Sequence, residues 1–388
     1  MEQPVYLDNA ATTPLDRRVL EAMLPHLNGV RGNPSSLHAA GATAREAVEK
    51  ARGSVAGLIG ASPQEIFFTG GGTEADNLAV LGLARASSAE KRHLVVSRVE
   101  HAAVREAARR LESEGFEVSR VGVDSDGLVD PAEFERALRP DTALAAVVWA
   151  NNEVGTVQPV GELAEICAER DIPLHADAVQ AAGRMVLDVG EVPVTTLAIS
   201  GHKLYGPQGV GALYVRGGVA LDPILYGGGQ EAGLRSGTED VAGLVGLGEA
   251  ALLAAEELEE RSRHEKRLRE AILEGVAEIA GIRINGHRER RLANNAHLSV
   301  EGVEAEALVL FLDSLGYAIG SGSACASGSA GHKASPVLLA MGREERGAFS
   351  AVRITVGKDN TPEEVDGFIE AFSAAVSRLR ELSPLYTG

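Results

Sequence analysis

The chain has 388 residues, 45% of them hydrophobic and 24% charged, enough apolar content to bury a sizeable core and to exclude wholesale disorder. Thirty-seven Lys and Arg against 55 Asp and Glu leave a formal charge of −18, a surface that repels nucleic-acid phosphate and anionic lipid. Neither nucleic acid nor a membrane is therefore expected as a direct partner.

The N-terminal run MEQPVYLDNAATTP has no basic region followed by an apolar stretch, so no signal peptide is expected. Nowhere do about 18 apolar residues follow one another without interruption. In chain order, β-branched and alanine-rich runs predict strands at Glu65–Thr69, His93–Ser97, Phe116–Val121, Ala143–Trp149, Pro173–Asp177, Thr195–Ser200 and Val210–Val215. Helical spacing falls between them, as at Pro131–Arg139 and Val160–Arg170. That alternation predicts an α/β fold with a mostly parallel sheet covered on both faces, and a ligand site beyond the carboxyl ends of its strands. A long helix is expected from Asp240 to about Ala280, leading into a second, smaller unit. That unit has strands at His297–Val300 and Arg353–Val356 and an amphipathic helix from Pro362.

Three features converge on one chemistry. The chain has six lysines, and Lys203 is the one between positions 92 and 265; it follows a strand in the glycine-rich run SGHKLYGPQGVG. A desolvated lysine amine there can form a Schiff base with an aldehyde. Asp177 ends the strand PLHAD, 26 positions earlier, where a carboxylate can keep a ring nitrogen protonated. FTGGGTEADNLAV reads as strand, glycine turn and a helix opened by Thr73 and Glu74, a ready phosphate cup. These are the parts that pyridoxal phosphate requires. Singly, each has a blander reading: a surface lysine, a helix cap, an ordinary turn.

Competing motifs are missing. There is no G-x-x-x-x-G-K-[ST] and no G-x-G-x-x-G opening a crossover. His101, His175 and His202 are scattered in sequence, without H-E-x-x-H or C-x-x-C, so no resident metal is expected. The two cysteines lie far apart, which fits a reducing cytoplasm rather than a disulfide framework. Cys167 sits on the apolar face of a helix and reads as a small buried hydrophobe. Cys325 instead sits in Gly320–Gly331, GSGSACASGSAG, which offers nothing to anchor in a core. Twelve such residues form a flexible tether spanning roughly 40 Å when stretched, and the thiol is exposed and potentially nucleophilic. A cysteine merely tolerated in a loop is the alternative.

The sequence resembles the cysteine desulfurases, fold-type I pyridoxal-phosphate enzymes of the class-V aminotransferase superfamily. The likeness runs through YLDNAATTP, GNPSSLH, FTGGGTEADNLAV, EHAAV, NNEVGTVQP, HADAVQ, SGHKLYGPQGVGALYVR, GGGQEAGLRSGTE, GSACASGS and RITVG, in that order. It implies a large cofactor-binding domain at 14–255 and a small α+β domain of 1–13 and 256–388 that carries a mobile cysteine loop, 320–331. It implies pyridoxal 5′-phosphate joined to Lys203, with Asp177 on the pyridine nitrogen, Gln180 on the ring hydroxyl and His101 stacked on the ring. Gly72, Thr73, Ser200, His202 and Thr238 would hold the phosphate, Thr238 from the partner subunit of a homodimer. Asn33, Asn152 and Arg353 would address the substrate, Arg353 gripping its carboxylate.

The implied reaction converts L-cysteine to L-alanine. Lys203 moves the Cα proton, and Cys325 takes the sulfur as a persulfide for a sulfur-acceptor protein such as an iron–sulfur scaffold. Cys325 would touch a cluster only transiently during transfer. Departures from the family pattern are Gly70 in place of a serine, Ala326 in place of a threonine, and AGHKASP at Ala330–Pro336. A selenocysteine lyase and an aminotransferase of the same superfamily are the alternatives, though aminotransfer leaves Cys325 without a task. A catalytically silent scaffold is disfavoured by the presence of Lys203, Asp177 and Cys325.

Overall fold

The computed structural model describes residues 4–29, 31–321 and 334–383. Its strands are β1 (Val5–Leu7), β2 (Ile66–Thr69), β3 (His93–Ser97), β4 (Glu117–Val121), β5 (Thr142–Val148), β6 (Leu174–Asp177), β7 (Thr196–Ser200), β8 (Gly211–Val215), β9 (Ile282–Ile284), β10 (Asn295–Val300), β11 (Tyr317–Ser321) and β12 (Ala351–Thr355). The seven strands expected in the first two-thirds of the chain are present as β2 to β8, with ends shifted by a residue or two. They form one sheet in the order β2-β8-β7-β6-β5-β3-β4. Every neighbouring pair is parallel except the two made by β8.

Composition explains the layering. All seven residues of β5, TALAAVV, are buried, as a strand covered by helices on both faces requires. At the edge, β4 reads EVSRV and buries only its last residue. After β4 the chain crosses back over β3 to form β5, so the connection reverses direction between those two strands. The carboxyl-end crevice at such a reversal is where ligands bind in open α/β sheets.

The helix expected at Asp240–Ala280 is in fact two, Val241–Glu256 and Leu258–Val276, broken at Glu257. The first is apolar nearly all round because it is packed between helices Arg17–Asn28 and Ala39–Leu58. Its approach to the latter is so close that a Cβ at Gly248 would lie 2.6 Å from Ala51 Cα. The second packs on β10 and on helix Pro362–Leu382. At the break the Glu257 carboxylate accepts hydrogen bonds from both Arg18 and Arg261, redirecting the chain between the two packing partners. Propensity alone gave no sign of it.

The second sheet has the order β1-β11-β12-β10-β9. It has its own core, including Leu7, Leu298, Leu312, Ile354, Phe368 and Phe372. The C-terminal helix starts where expected: Pro362 is its first residue, and Thr361 and Glu364 cap each other's backbone N–H groups. β11 was not foreseen. It takes in Gly320 and Ser321, the first two residues of the expected mobile loop, and pairs in parallel with β1. The rest of the notable cysteine run, with Cys325, lies outside the described residues.

The segment after β1 ties the two sheets together. The Asn9 amide side chain donates to the Thr355 carbonyl at 2.9 Å, and the Ala10 N–H to Thr355 Oγ1 at 2.9 Å. Three residues on, the Thr13 N–H donates to the His202 carbonyl at 2.9 Å. Residues 8–13 thus pass from the small sheet directly to Lys203.

Candidate active site

Three buried acids collect at the carboxyl edge of the large sheet. Asp177 ends β6, Glu100 follows β3, and Asp76 reaches in from helix Gly72–Ala86. His101 caps helix Ala102–Ser113, its Nδ1 accepting the Ala103 N–H at 3.2 Å, which fixes the ring's orientation. Ligand atoms of Asp76, His101 and Asp177 all lie within 4.8 Å of one another. The sequence had His101 and His175 scattered; the parallel sheet brings His175, two residues before Asp177 and on the same face of β6, into this group as well.

Burial governs the protons here. It pushes the Glu100 carboxyl up to about 8. It raises Asp76 well above the usual carboxylate range, helped by the charges of Asp177 and Glu100. Burial also raises Asp177, but His101 and Lys203 pull it back. His175 is held down to about 3, so its imidazole is neutral.

Lys203 follows β7 in a short helical turn. Its Nζ donates to the carbonyls of Ala10 and Ala11, 2.6 Å each. Gln180 Nε2 donates to the same Ala10 carbonyl at 2.9 Å. The N-terminal segment therefore positions both the lysine and the glutamine. His202 is pushed down to about 4, chiefly by burial, and its Nδ1 lies 3.1 Å from Thr12 Oγ1. Tyr205 turns the chain with a φ of 62°, unusual for a side chain of its size. Thr13 Oγ1 accepts its N–H at 2.8 Å.

The phosphate cup is a helix N-terminus without a side-chain cap. Gly71, with φ 142°, stands at the N-cap of helix Gly72–Ala86, leaving the first amides for another acceptor. Only glycine fits at 72, since a Cβ there would sit 2.7 Å from Val179 Cγ2 and 3.4 Å from Ser200 Cβ. Ser200 is buried and Thr73 exposed at this rim. Gly70 donates its N–H to Glu74 Oε2 at 2.9 Å; a Cβ at 70 would meet that oxygen at 2.6 Å, so the departure noted there goes with this bond.

Thr238 is exposed on the run Gly227–Glu239. Two ion pairs fasten that run: Arg235 Nε to Glu74 Oε1 at 2.8 Å, and a bidentate Arg52–Glu231 pair at 2.8 Å per bond.

Arg353 on β12 lies between the sheets and is 2% exposed. Nη1 donates to the Asn152 carbonyl and Nη2 to Asp8 Oδ1, both at 2.8 Å, while Nε is buried without a partner. A Cβ at Gly320 would come within 2.6 Å of Asp8 Oδ1 and 3.1 Å of Arg353 Nη2, so β11 closes over this pair only because it carries glycine there. Next to Asn152, Glu153 accepts a hydrogen bond from Ser335, the N-cap of helix Pro336–Ala340. Burial raises its carboxyl to about 7. Asn33 is exposed in a turn, its Oδ1 accepting the Ser35 N–H at 2.9 Å.

The fold thus gathers His101, Asp177, Gln180, Ser200, His202 and Lys203 around one crevice, with Gly72 and Thr73 at its rim. Asp8, Asp76, Glu100 and His175 belong to the same assembly and were not singled out from sequence. The first lies inside YLDNAATTP and the second inside FTGGGTEADNLAV, so motif membership was the available signal. These residues fit pyridoxal phosphate: an uncapped helix N-terminus for the phosphate, a buried carboxylate beside an imidazole for the ring, and a lysine amine across from them.

The class-V aminotransferase family matches residues 5–368. A cysteine desulfurase IscS of Neisseria meningitidis is 47% identical over 389 residues, covering 100% of this chain and 95% of that protein. One of Methanosarcina thermophila is 44% identical, covering 98% and 94%. Among solved structures, a NifS-like protein superposes with a TM-score of 0.91 at 38% identity, covering 97% of this chain and 100% of its own. SspA in complex with cysteine superposes with a TM-score of 0.80 at 35% identity, covering 92% and 100%. With identity of this order along the whole chain, and the Lys203–Asp177 crevice in place, the protein belongs to the cysteine desulfurase branch of the class-V aminotransferases.

Proposed function

We propose that this protein converts L-cysteine to L-alanine and passes the sulfur through Cys325 to an acceptor protein, with the residues above in the following roles. The gathering of Lys203, Asp177 and His101 in one crevice, with Arg353 at its small-sheet side, carries the reading.

When bound, pyridoxal phosphate supplies an electron sink for the pair left on the substrate's Cα. Gly72, Thr73, Ser200 and His202 would hold the phosphate, Asp177 and Gln180 would hold the ring, and His101 would lie against it. Lys203 Nζ would carry the cofactor, and its amine takes the Cα proton. Arg353 binds the substrate carboxylate, with Asn152 and Asn33 beside it. The Cys325 thiolate attacks the substrate sulfur. A sulfur–sulfur bond forms, the Cβ–S bond breaks with its electron pair going to carbon, and a proton completes alanine. The balance is L-cysteine plus enzyme thiol to L-alanine plus enzyme persulfide, with no outside oxidant or reductant.

We further read the two sheets as two domains, 14–255 and 1–13 with 256–388. A second copy of the chain is assigned to the face of helix Arg17–Asn28 bearing Leu20, Leu24 and Leu27, exposed 40, 49 and 60%, and Thr238 reaches the partner's phosphate site. The acceptor is a protein of the iron–sulfur scaffold kind, and the site of action is the cytoplasm. No helix among the described residues is long and apolar enough to cross a membrane.

The test is Cys325→Ser. It retains the visible absorption of bound pyridoxal phosphate and loses sulfide release from L-cysteine by at least about 10³-fold. Sulfide release at the wild-type rate refutes the persulfide route.

A further inference from the structure

Two residues past Lys203, Tyr205 holds a backbone conformation that its side chain disfavours. Among the described residues, Asp171, Tyr205, Glu231 and Ala232 are the non-glycine positions with positive φ, and Tyr205, at 62°, is the bulkiest of them and is buried. A left-handed backbone costs free energy for a residue with a Cβ, and glycine or asparagine would carry it at less cost. The backbone of Tyr205 is held there by the N-terminal segment. Its N–H donates to Thr13 Oγ1 at 2.8 Å, and the same hydroxyl donates to the His202 carbonyl at 3.0 Å, so Thr13 clamps the chain on both sides of Lys203. The Tyr205 carbonyl accepts the Asp16 N–H at 2.9 Å.

The side chain crosses to the other sheet. Its hydroxyl oxygen accepts the backbone N–H of Lys358 at 2.8 Å. Lys358 stands just past the end of β12, the strand that carries Arg353. Arg261 Cζ lies 5.3 Å and Lys358 Nζ 4.7 Å from the centre of the Tyr205 ring, two cations over one aromatic side chain. Lys358 Nζ also pairs with Asp16, which returns the contact to the segment that holds the Tyr205 backbone. A Cβ at Gly357 would sit 2.7 Å from the Tyr205 hydroxyl oxygen, so the strand end approaches the phenol this closely only because it carries glycine there.

We propose that Tyr205 is a positioning residue: a strut that fixes the turn bearing Lys203 against the strand end bearing Arg353, and so sets the separation between the amine that moves the Cα proton and the guanidinium that binds the carboxylate. The inference rests on the function proposed above. It explains why a strained tyrosine stands where glycine would relax the backbone, since only a long side chain with a polar tip spans from the Lys203 turn to the Lys358 N–H. Tyr205 acts through Lys203 and Arg353 and takes no part in the chemistry itself.

The experiment compares wild-type, Tyr205→Phe and Tyr205→Asn holoenzymes, with L-alanine in D2O as the probe. Exchange of the alanine Cα hydrogen for deuterium, followed by proton NMR, reads the proton transfer without the sulfur step. Phenylalanine keeps the ring under the two cations and removes the acceptor of the Lys358 N–H; asparagine tolerates the left-handed backbone and is too short to reach it. Both variants should keep the visible absorption of bound pyridoxal phosphate. At saturating alanine, the exchange rate per bound cofactor should fall about tenfold in each, with KM changed less than about threefold. A rate per bound cofactor equal to wild type overturns the proposal, even where the melting temperature falls, and so does a loss confined to KM. If one variant fails to fold, the other decides by the same rate. A wild type that binds pyridoxal phosphate and exchanges no Cα hydrogen refutes the proposed function, and this inference with it. An active wild type with unaffected variants refutes the inference alone.

Discussion

The two ends of the crevice handle buried charge in opposite ways. At the carboxyl edge of the large sheet, Asp76, Glu100 and Asp177 crowd together and burial pushes each toward its neutral form. At the small-sheet side, Arg353 is equally buried but already has a carboxylate, Asp8, 2.8 Å from Nη2. The first end is a field short of positive charge, ready to accept a protonated ring nitrogen. The second is a cation whose fork is partly used by Asp8, which, on the function proposed above, shares it with the substrate carboxylate. On that proposal, affinity for the cofactor and affinity for the amino acid are set by separate electrostatics in separate sheets.

The sharpest way to break this comparison is to remove the lysine that faces the acid end. Lys203→Ala should lower alanine formation from L-cysteine by at least about 10³-fold and abolish the cofactor's visible absorption. Retained absorption would place the cofactor's attachment elsewhere.

Next in size is the acid end's response to pH. Glu100 rises from 4.5 in the unfolded chain to about 8 when folded, so the folded state holds a proton that the unfolded chain releases. Its contribution to stability is complete below the unfolded value and is lost as pH rises toward about 8. Urea unfolding should show Glu100→Gln flattening the stability difference between about pH 5 and pH 8 by on the order of 4 kcal/mol at most. An unchanged slope would remove Glu100 from the account.

The arginine end should answer in KM. Arg353→Lys loses the planar fork and should raise KM for L-cysteine about 100-fold, with kcat changed far less. Asp8→Asn keeps the guanidinium charged and should alter KM by only about threefold. Equal effects from both would mean that Asp8, rather than the guanidinium itself, organises the substrate end.

Much of this was legible in advance. Seven strands of the large sheet could be placed within a residue or two, because strands buried on both faces must be apolar along their length, as in TALAAVV of β5. Lys203, Asp177 and the Gly70–Thr73 turn were legible because each stands at or just beyond the carboxyl end of a strand, where side chains of such a sheet converge. The helix break at Glu257 was hidden, since Ala, Leu, Glu and Arg favour helix on both sides of it and only the change of packing partner interrupts them. β11 was hidden as well, because Gly320 and Ser321 have little strand propensity and pair there through β1 and β12.

By itself, then, the sequence determined the alternation of elements, the apolar faces and the residue types that carry the chemistry, all of which are encoded within a few neighbouring positions. Only the tertiary structure decided that Asp8 neutralises Arg353 across 345 positions, that Ala10 and Ala11 hold Lys203, and that Asp76 comes within 4.8 Å of Asp177. Those contacts depend on where crossover connections set distant strands, which is not local to any stretch of the chain.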